Sequence, residues 1–183
     1  MERTMLLISG MPGAGKTRFG EWLAARNGLA FLCKDKVKEQ IWNRLEYDTT
    51  HAAPYNGLAY DMCWHFCESL MQTGQNFVFE SNFVEPASER LGAMVREHNY
   101  RAIQIRFGGE VSIIHTRFLA RDDTAARHPG LRSHGRFADL SVFERAARNC
   151  IDFTFGEKTI DVDSTYFEQV DYEAIARKIL ATK

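Results

Sequence analysis

Short apolar runs alternate with amphipathic segments along most of the chain. Five runs bounded by glycine or polar residues are typical of strands buried on both faces of a parallel sheet: residues 5–9, 29–33, 77–80, 101–107 and 159–162. Apolar residues recur at helical spacing in the segments between and after these runs: residues 16–26, 36–45, 58–73, 86–97, 111–122, 139–149 and 171–180. The alternation predicts an α/β fold with five parallel strands and right-handed crossovers.

Local features add detail between the second and third strands. Asp35 directly follows the second strand and is predicted to cap the next helix. Residues 47–56, with Pro54 and Asn56 and the following Gly57, predict a connection. The next helix, which Gly74 ends, is predicted from the spacing of Leu58, Met62, Phe66 and Leu70.

Composition narrows the class of protein. The chain has 183 residues, 45% of them apolar and 26% charged, so we interpret residues 1–183 as a single globular domain. The net charge of −1 disfavours a protein that coats nucleic acid or anionic membranes. No apolar run approaches the roughly 18 residues of a membrane helix, so we expect a cytoplasmic protein.

The cysteines are predicted to be free thiols, because a chain with this apolar content needs no disulfide framework. The run Cys63-Trp64-His65-Phe66-Cys67 could suggest a metal site. A structural zinc usually needs four ligands, and no second pair of Cys or His follows at suitable spacing. We therefore interpret the run as one face of a helix.

A glycine-rich motif separates the first strand from the first helix. It matches G-x-x-x-x-G-K-[ST] and consists of Gly10, Met11, Pro12, Gly13, Ala14, Gly15, Lys16 and Thr17. Glycine lets backbone N–H groups turn inward around a phosphate, and the helix that follows points its positive dipole end at the same place. The motif predicts ATP binding, with Lys16 on the phosphates and Thr17 as a hydroxyl for Mg²⁺.

Polar residues follow the second and third strands, whose carboxyl ends should meet the glycine-rich loop. Asp35 could orient and deprotonate a substrate hydroxyl, or it could serve only as a helix cap. Glu80 could hold the water shell of a metal or contact substrate, or be an exposed strand-end acid, and Asn82 could hydrogen-bond substrate. Lys36 and Lys38 are candidates for contact with an anionic substrate or for a solvated face.

A basic segment extends over roughly residues 115–137. It contains Arg117, Arg121, Arg127, His128, Arg132, His134 and Arg136. Arg117 and Arg121 are spaced to share one helical face, and an arm bearing them could close over ATP and neutralise charge during phosphoryl transfer. A solvated basic face is the alternative.

These motifs together resemble the small P-loop kinases of the zeta-toxin, chloramphenicol phosphotransferase and polynucleotide 5′-kinase group. The residues that carry the resemblance are GMPGAGKT, Asp35, FVFESNF and RFLARDDTAARHPG. The resemblance implies a three-layer, nucleotide-kinase-like core, ATP with Mg²⁺, and an arginine lid. It further implies that Asp35 is the base, that Arg117 and Arg121 lie at adenine and phosphate with Arg127 beside them, and that residues 163–165 lie near the adenine.

The leading functional hypothesis is transfer of the ATP γ-phosphate to a hydroxyl of a small molecule, with Lys16, Asp35, Arg121 and Arg127 as catalytic residues. Two alternatives are a polynucleotide 5′-hydroxyl kinase and a toxin-like or regulatory ATPase. The net charge disfavours the polynucleotide kinase, because its substrate is a nucleic acid. No N-K-x-D sequence is present to select guanine. No motif specifies the acceptor or the oligomeric state.

Overall fold

A computed structural model describes residues 3–45, 52–122, 124–125 and 127–181. Its centre is a parallel sheet of five strands in the order β2-β3-β1-β4-β5. The strands are β1 (Thr4–Gly10), β2 (Ala30–Cys33), β3 (Phe77–Glu80), β4 (Arg101–Gly108) and β5 (Lys158–Asp163). The predicted α/β fold with five parallel strands is therefore confirmed.

Helices cover both faces of the sheet. They are α1 (Lys16–Asn27), α2 (Lys34–Arg44), α3 (Ala52–Gln72), α4 (Ala87–Glu97), α5 (Val111–Asp122), α6 (Leu140–Asp152) and α7 (Tyr172–Leu180). Alternate side chains of β1 enter two separate cores: Leu6 and Ile8 pack with α1, α5, α6 and α7, whereas Met5 and Leu7 pack with α3 and α4. The fold thus has three layers, as predicted.

The junction between β2 and α2 differs from the prediction. Helix α2 begins at Lys34, immediately after the strand, so that Cys33 takes the N-cap position and no side chain caps it. Asp35 lies inside the first turn, where a carboxylate is favourable near the positive end of the helix dipole. The predicted capping role of Asp35 is therefore wrong.

Helix α3 begins earlier than predicted. It starts at Ala52 and runs through Pro54, Asn56 and Gly57, so the predicted connection is wrong for residues 52–56, and its remaining residues 47–51 lie outside the described residues. Proline is compatible with the first turn of a helix, where its missing N–H has no intrahelical partner to lose. The helix therefore continues through Pro54, Asn56 and Gly57 without a break.

The buried face of α3 is not the apolar stripe from which the helix is predicted. Leu58, Met62 and Phe66 are 44%, 37% and 46% exposed. The neighbouring stripe is buried: Cys63, Cys67 and Met71 pack in the core against the sheet, and Ala59 packs with Ile41 and Trp42 of α2. Small side chains let the helix approach the sheet closely, which larger residues on that face would prevent.

Other features bear on location and metals. Within the described residues, no helix is both long and apolar enough to cross a membrane. All four cysteines are buried free thiols. His, Cys, Asp and Glu side chains form no group of three suited to a metal ion in the part of the chain that the structure describes.

Candidate functional site

One cleft of about 750 Å³ lies at the carboxyl ends of the central strands. It brings together every predicted catalytic residue with Thr17, Glu80, Asn82 and Arg117. Parallel pairing explains this convergence, because Ile8 of β1 and Cys33 of β2 are both in register with Glu80 of β3. A second cavity of about 390 Å³, between α1 and α7 at the opposite end of the sheet, contains none of these residues.

The glycine-rich loop has a backbone conformation that requires glycine. Gly10, Gly13 and Gly15 have φ angles of +114°, +79° and +90°. A Cβ on Gly10 would approach the Phe107 carbonyl oxygen to 1.9 Å, and one on Gly15 would approach the Phe167 ring to 2.1 Å. Gly15 also occupies the N-cap of α1 without a capping side chain, which leaves N–H groups available to an anion. The loop fits a phosphate.

Lys16 lies inside this loop and is only 5% exposed. Its ammonium donates to the carbonyl oxygens of Gly10 (3.0 Å) and Met11 (2.8 Å), which hold it across the loop. Burial lowers the pKa of Lys16, although the charge of Glu80 opposes that shift. A bound phosphate would supply the negative charge that this buried ammonium needs.

Glu80 is a buried carboxylate rather than an exposed strand-end acid. It accepts hydrogen bonds from the Thr17 hydroxyl (3.1 Å) and from the Cys33 thiol (2.8 Å). Burial raises the pKa of Glu80, and Lys16 works against that rise. The hydrogen bond between Glu80 and Thr17 places a carboxylate and a hydroxyl, the oxygen groups that Mg²⁺ prefers as ligands, next to the phosphate cradle.

Asp35 forms an ion pair with Lys34, a buried lysine that the sequence patterns did not identify. The Lys34 ammonium lies 2.7 Å from Asp35 Oδ1 and also donates to Asn56 Oδ1 at 3.3 Å. Burial by itself raises the pKa of Asp35, but the charge and hydrogen bond of Lys34 outweigh it and hold the pKa below its usual value. Asp35 is therefore an ionised carboxylate at neutral pH.

An aromatic shelf, formed by the rings of Tyr60 and Trp64, lies beside the ion pair of Lys34 and Asp35. The Lys34 ammonium lies over the Tyr60 ring at 5.4 Å from its centroid, and the Tyr60 hydroxyl is 3.0 Å from the Ser81 hydroxyl. Trp64 stacks on Tyr60 at 6.2 Å. The shelf links α2, α3 and the end of β3, so the surroundings of Asp35 depend on three elements.

Arg117 joins the glycine-rich loop to the segment after β5. Its guanidinium donates to the carbonyl oxygens of Gly13 (3.1 Å) and Ser164 (3.0 Å). Phe167, which sequence reasoning missed, lies under it with 5.7 Å between the guanidinium carbon and the ring centroid, and Arg18 lies 5.4 Å from the same ring. Phe167 belongs to no motif, and only the packing of its short helical turn brings it to the cleft.

Arg127 and Arg121 are arranged differently. Arg127 is fixed, because its Nε lies 3.1 Å from buried Asp122 and donates to the Leu131 carbonyl at 3.0 Å. Asp122 also accepts from the Ser133 hydroxyl at 2.5 Å. Arg121 lines the cleft with an exposed side chain. One arginine is therefore held in place and the other is accessible to a ligand.

The remaining basic residues of this segment do not line the cleft. Arg132 donates to the Thr124 carbonyl at 3.0 Å, and Arg136 lies over the ring of Phe137. The His128 ring contacts the side-chain oxygen of Asn43 at 3.0 Å. These contacts fold the segment onto itself and onto α2.

The strand order, the glycine cradle and the lysine within it define a P-loop α/β protein with the fold of small kinases. The model of the AAA domain family AAA_33 matches residues 5–150, which is most of the chain. The chain belongs to this family. The predicted resemblance to small P-loop kinases is confirmed at this level.

Solved structures support the same fold. The chain is similar to a candidate kinase from Chloroflexus aurantiacus, with 28% identity, a TM-score of 0.84, and coverage of 100% of this chain and 97% of that one. It shares its fold with a shikimate kinase from Acinetobacter baumannii (18% identity, TM-score 0.53, 100% and 96% coverage). It also shares its fold with a gluconokinase from Sinorhizobium meliloti (15% identity, TM-score 0.53, coverage of 98% of this chain and 90% of that one). No curated protein sequence matches the chain.

Proposed function

We propose that the chain transfers the γ-phosphate of ATP to a hydroxyl group of a small molecule. One observation carries the proposal: a single cleft joins the glycine cradle to the ionised carboxylate of Asp35 and to four arginines. A nucleotide switch needs the cradle but not a second carboxylate held beside it by a buried lysine. A phosphotransferase uses both, one for the donor and one for the acceptor.

The donor phosphates would be held by the loop N–H groups and by Lys16. Thr17 and Glu80 would hold Mg²⁺, which when bound neutralises phosphate charge. Their fit rests on the hydrogen bond between the Thr17 hydroxyl and the buried Glu80 carboxylate. Arg117, fixed on the Gly13 carbonyl, would border the nucleotide.

Asp35 would accept a hydrogen bond from the acceptor hydroxyl and orient it toward the phosphate. Because Lys34 lowers the pKa of Asp35, the carboxylate is a weak base. It therefore takes the proton as the hydroxyl oxygen bonds to phosphorus rather than beforehand, which suits a loose transition state with little early bond formation. Asn82, at the same edge of the cleft, would donate a hydrogen bond to the acceptor.

The arginines would stabilise the charge that develops during transfer. Arg121 lines the cleft as an exposed residue and can bind phosphate oxygens directly. Arg127 is anchored by Asp122 and contributes a fixed positive charge beside Asp35. Preorganised charges of this kind are commonly the largest single contribution to catalysis.

The decisive experiment uses γ-labelled ATP with a panel of small alcohols, sugars and hydroxy acids, and identifies labelled products by mass spectrometry. We expect a phosphorylated small molecule. The finer resemblance to the zeta-toxin and polynucleotide-kinase group supplies the rival in the same panel, an oligonucleotide with a 5′-hydroxyl. Labelling of that oligonucleotide alone, or hydrolysis of ATP without any labelled acceptor, would contradict the proposal.

A further inference from the structure

The surroundings of Asp35, which lines the cleft, carry more positive than negative charge. The cations within electrostatic reach of its carboxylate include Lys34, Lys38 and Arg127, together with Lys16 and Arg121. Lys34 forms an ion pair with Asp35 and donates a hydrogen bond to Asn56, and Arg127 forms an ion pair with Asp122. Lys38 and Arg121 are not held in such pairs, and of these two Lys38 lies on the same helix as Asp35.

Lys38 contacts an aromatic ring rather than a carboxylate. Its ammonium lies 4.4 Å from the centroid of the Trp42 ring, one turn further along α2. Among the described residues it forms no ion pair with an acidic side chain within 4 Å. Its positive charge is therefore available to a ligand.

The Trp42 ring that lies beneath Lys38 is held in place by contacts with residues after α5. Trp42 is only 5% exposed, and the His128 ring stacks on it at 6.0 Å. Gly130 packs so closely that a Cβ there would lie 1.2 Å from the Trp42 ring. Lys38 therefore rests on a fixed surface and does not belong to a freely solvated face.

The environment of Lys38 disfavours its charged form. Partial burial, with the charges of Lys34 and Arg127, lowers the pKa of Lys38 to about 8, and Asp35 only partly offsets this. Strongly perturbed lysines next to a cleft are characteristic of functional sites. An anion bound beside Lys38 would raise that pKa and stabilise the charged form.

We propose that the acceptor carries an oxyanion, a carboxylate or a phosphate, which pairs with Lys38 while the reacting hydroxyl lies at Asp35. The inference rests on the proposed function. Asp35 and Lys38 are three residues apart on one helix, so their Cβ atoms are about 5–6 Å apart. The acceptor is accordingly a compact hydroxy acid or hydroxy phosphate ester, in which few bonds separate the hydroxyl from the charge.

The test uses probes that differ only in charge. Glycerate is paired with glycerol, gluconate with sorbitol, and 3-phosphoglycerate serves as the phosphate probe. Binding is measured by calorimetry with Mg²⁺ and a non-hydrolysable ATP analogue present. We expect at least one acidic probe to bind about tenfold or more tightly than its alcohol, because a charge-assisted contact is stronger than a contact with a neutral hydroxyl.

Three variants assign that preference to Lys38. Lys38→Met should abolish it, and Lys38→Arg should keep most of it. Lys36→Met is the matched control, because exposed Lys36 on the same helix pairs with Glu21 and should not affect it. Equal binding of acids and alcohols, absence of acid binding, or equal behaviour of the Lys38→Met and Lys36→Met variants would overturn the inference.

Transfer measured with labelled ATP separates this inference from the proposed function. If oxyanions bind in a Lys38-dependent way but no hydroxyl is phosphorylated, the kinase proposal fails and the oxyanion site stands. If neutral alcohols are the better acceptors and Lys38→Met leaves their kcat/KM unchanged, the kinase proposal stands and the oxyanion site fails.

Discussion

The two halves of the cleft are built in different ways. In the donor half, which comprises the glycine-rich loop, Lys16, Thr17 and Glu80, the ligand groups are mainly backbone N–H groups held by glycines with positive φ. In the acceptor half, which comprises α2 and residues 127–131, side chains define the site through ion pairs and ring contacts. A site made by the backbone needs a fixed sequence, whereas a site made by side chains can be assembled from many sequences.

The largest expected effect distinguishes the halves most clearly. Asp35→Asn should lower kcat by about 10²–10⁴-fold, because the acceptor hydroxyl loses its proton acceptor. The affinity for ATP should stay within about twofold, since Asp35 belongs to the acceptor half. Rates with saturating ATP and calorimetric ATP binding check both expectations. Glu39→Gln on the same helix is the control, and an equal loss in both variants would contradict the role of Asp35.

Lys16→Ala tests the donor half. We expect a loss of about 10²–10³-fold in kcat/KM for ATP, because one preorganised positive charge on the phosphates disappears. Binding of an acceptor measured without nucleotide should not change. Circular dichroism melting confirms that the variant is folded, and wild-type ATP affinity in a folded Lys16→Ala protein would refute the predicted loop function.

Gly15→Ala tests whether the backbone itself makes the donor half. Alanine at a φ of +90° is strained by about 1–2 kcal/mol, and its Cβ would clash with the Phe167 ring, so ATP affinity should fall roughly tenfold or more. Gly28→Ala is matched to it, because Gly28 also has positive φ, at +62°, but nothing lies within 4 Å of its Cβ position. That control should lower the melting temperature and leave ATP affinity unchanged.

Lys34→Met has a smaller effect with a characteristic pH dependence. Since Lys34 holds the pKa of Asp35 down, its loss should raise that pKa and move the acidic limb of the kcat/KM profile to higher pH. In the wild type, the stabilising contribution of Asp35 is present at neutral pH and is lost as pH falls through its lowered pKa. Lys36→Met should leave the profile in place, and an unshifted limb in Lys34→Met would show that Lys34 only fills space.

The sequence alone predicted the parts of the molecule whose structure depends on a few consecutive residues. The five strands are short apolar runs, and the glycine-rich loop is specified by eight consecutive residues. The convergence of Asp35 and Glu80 on that loop follows from parallel strand pairing, which the alternation of elements predicts. The roles of these residues stay predictions until the variants are measured.

Features that depend on packing between distant segments were not predictable. Lys34 is partnered by Asn56, 22 residues away, only because α3 continues through Pro54 and packs beside α2. The buried face of α3 was ambiguous because two apolar stripes lie one residue apart, and the choice between them depends on the small cysteines. Phe167 reaches Gly15 through the fold of a turn that has no sequence signature.

Because Gly130 packs closely on Trp42, the stretch of chain around it borders the proposed sites of both substrates. The same stretch of chain supplies Arg127 to the cleft and presses on the ring beneath Lys38. A shift of this stretch on nucleotide binding would therefore move the ring beneath Lys38 and change the affinity for the acceptor by some factor. Thermodynamic reciprocity requires the acceptor to change the affinity for the nucleotide by the same factor. The size of this coupling between the two substrates is then set by how rigidly residues 127–131 hold the Trp42 ring.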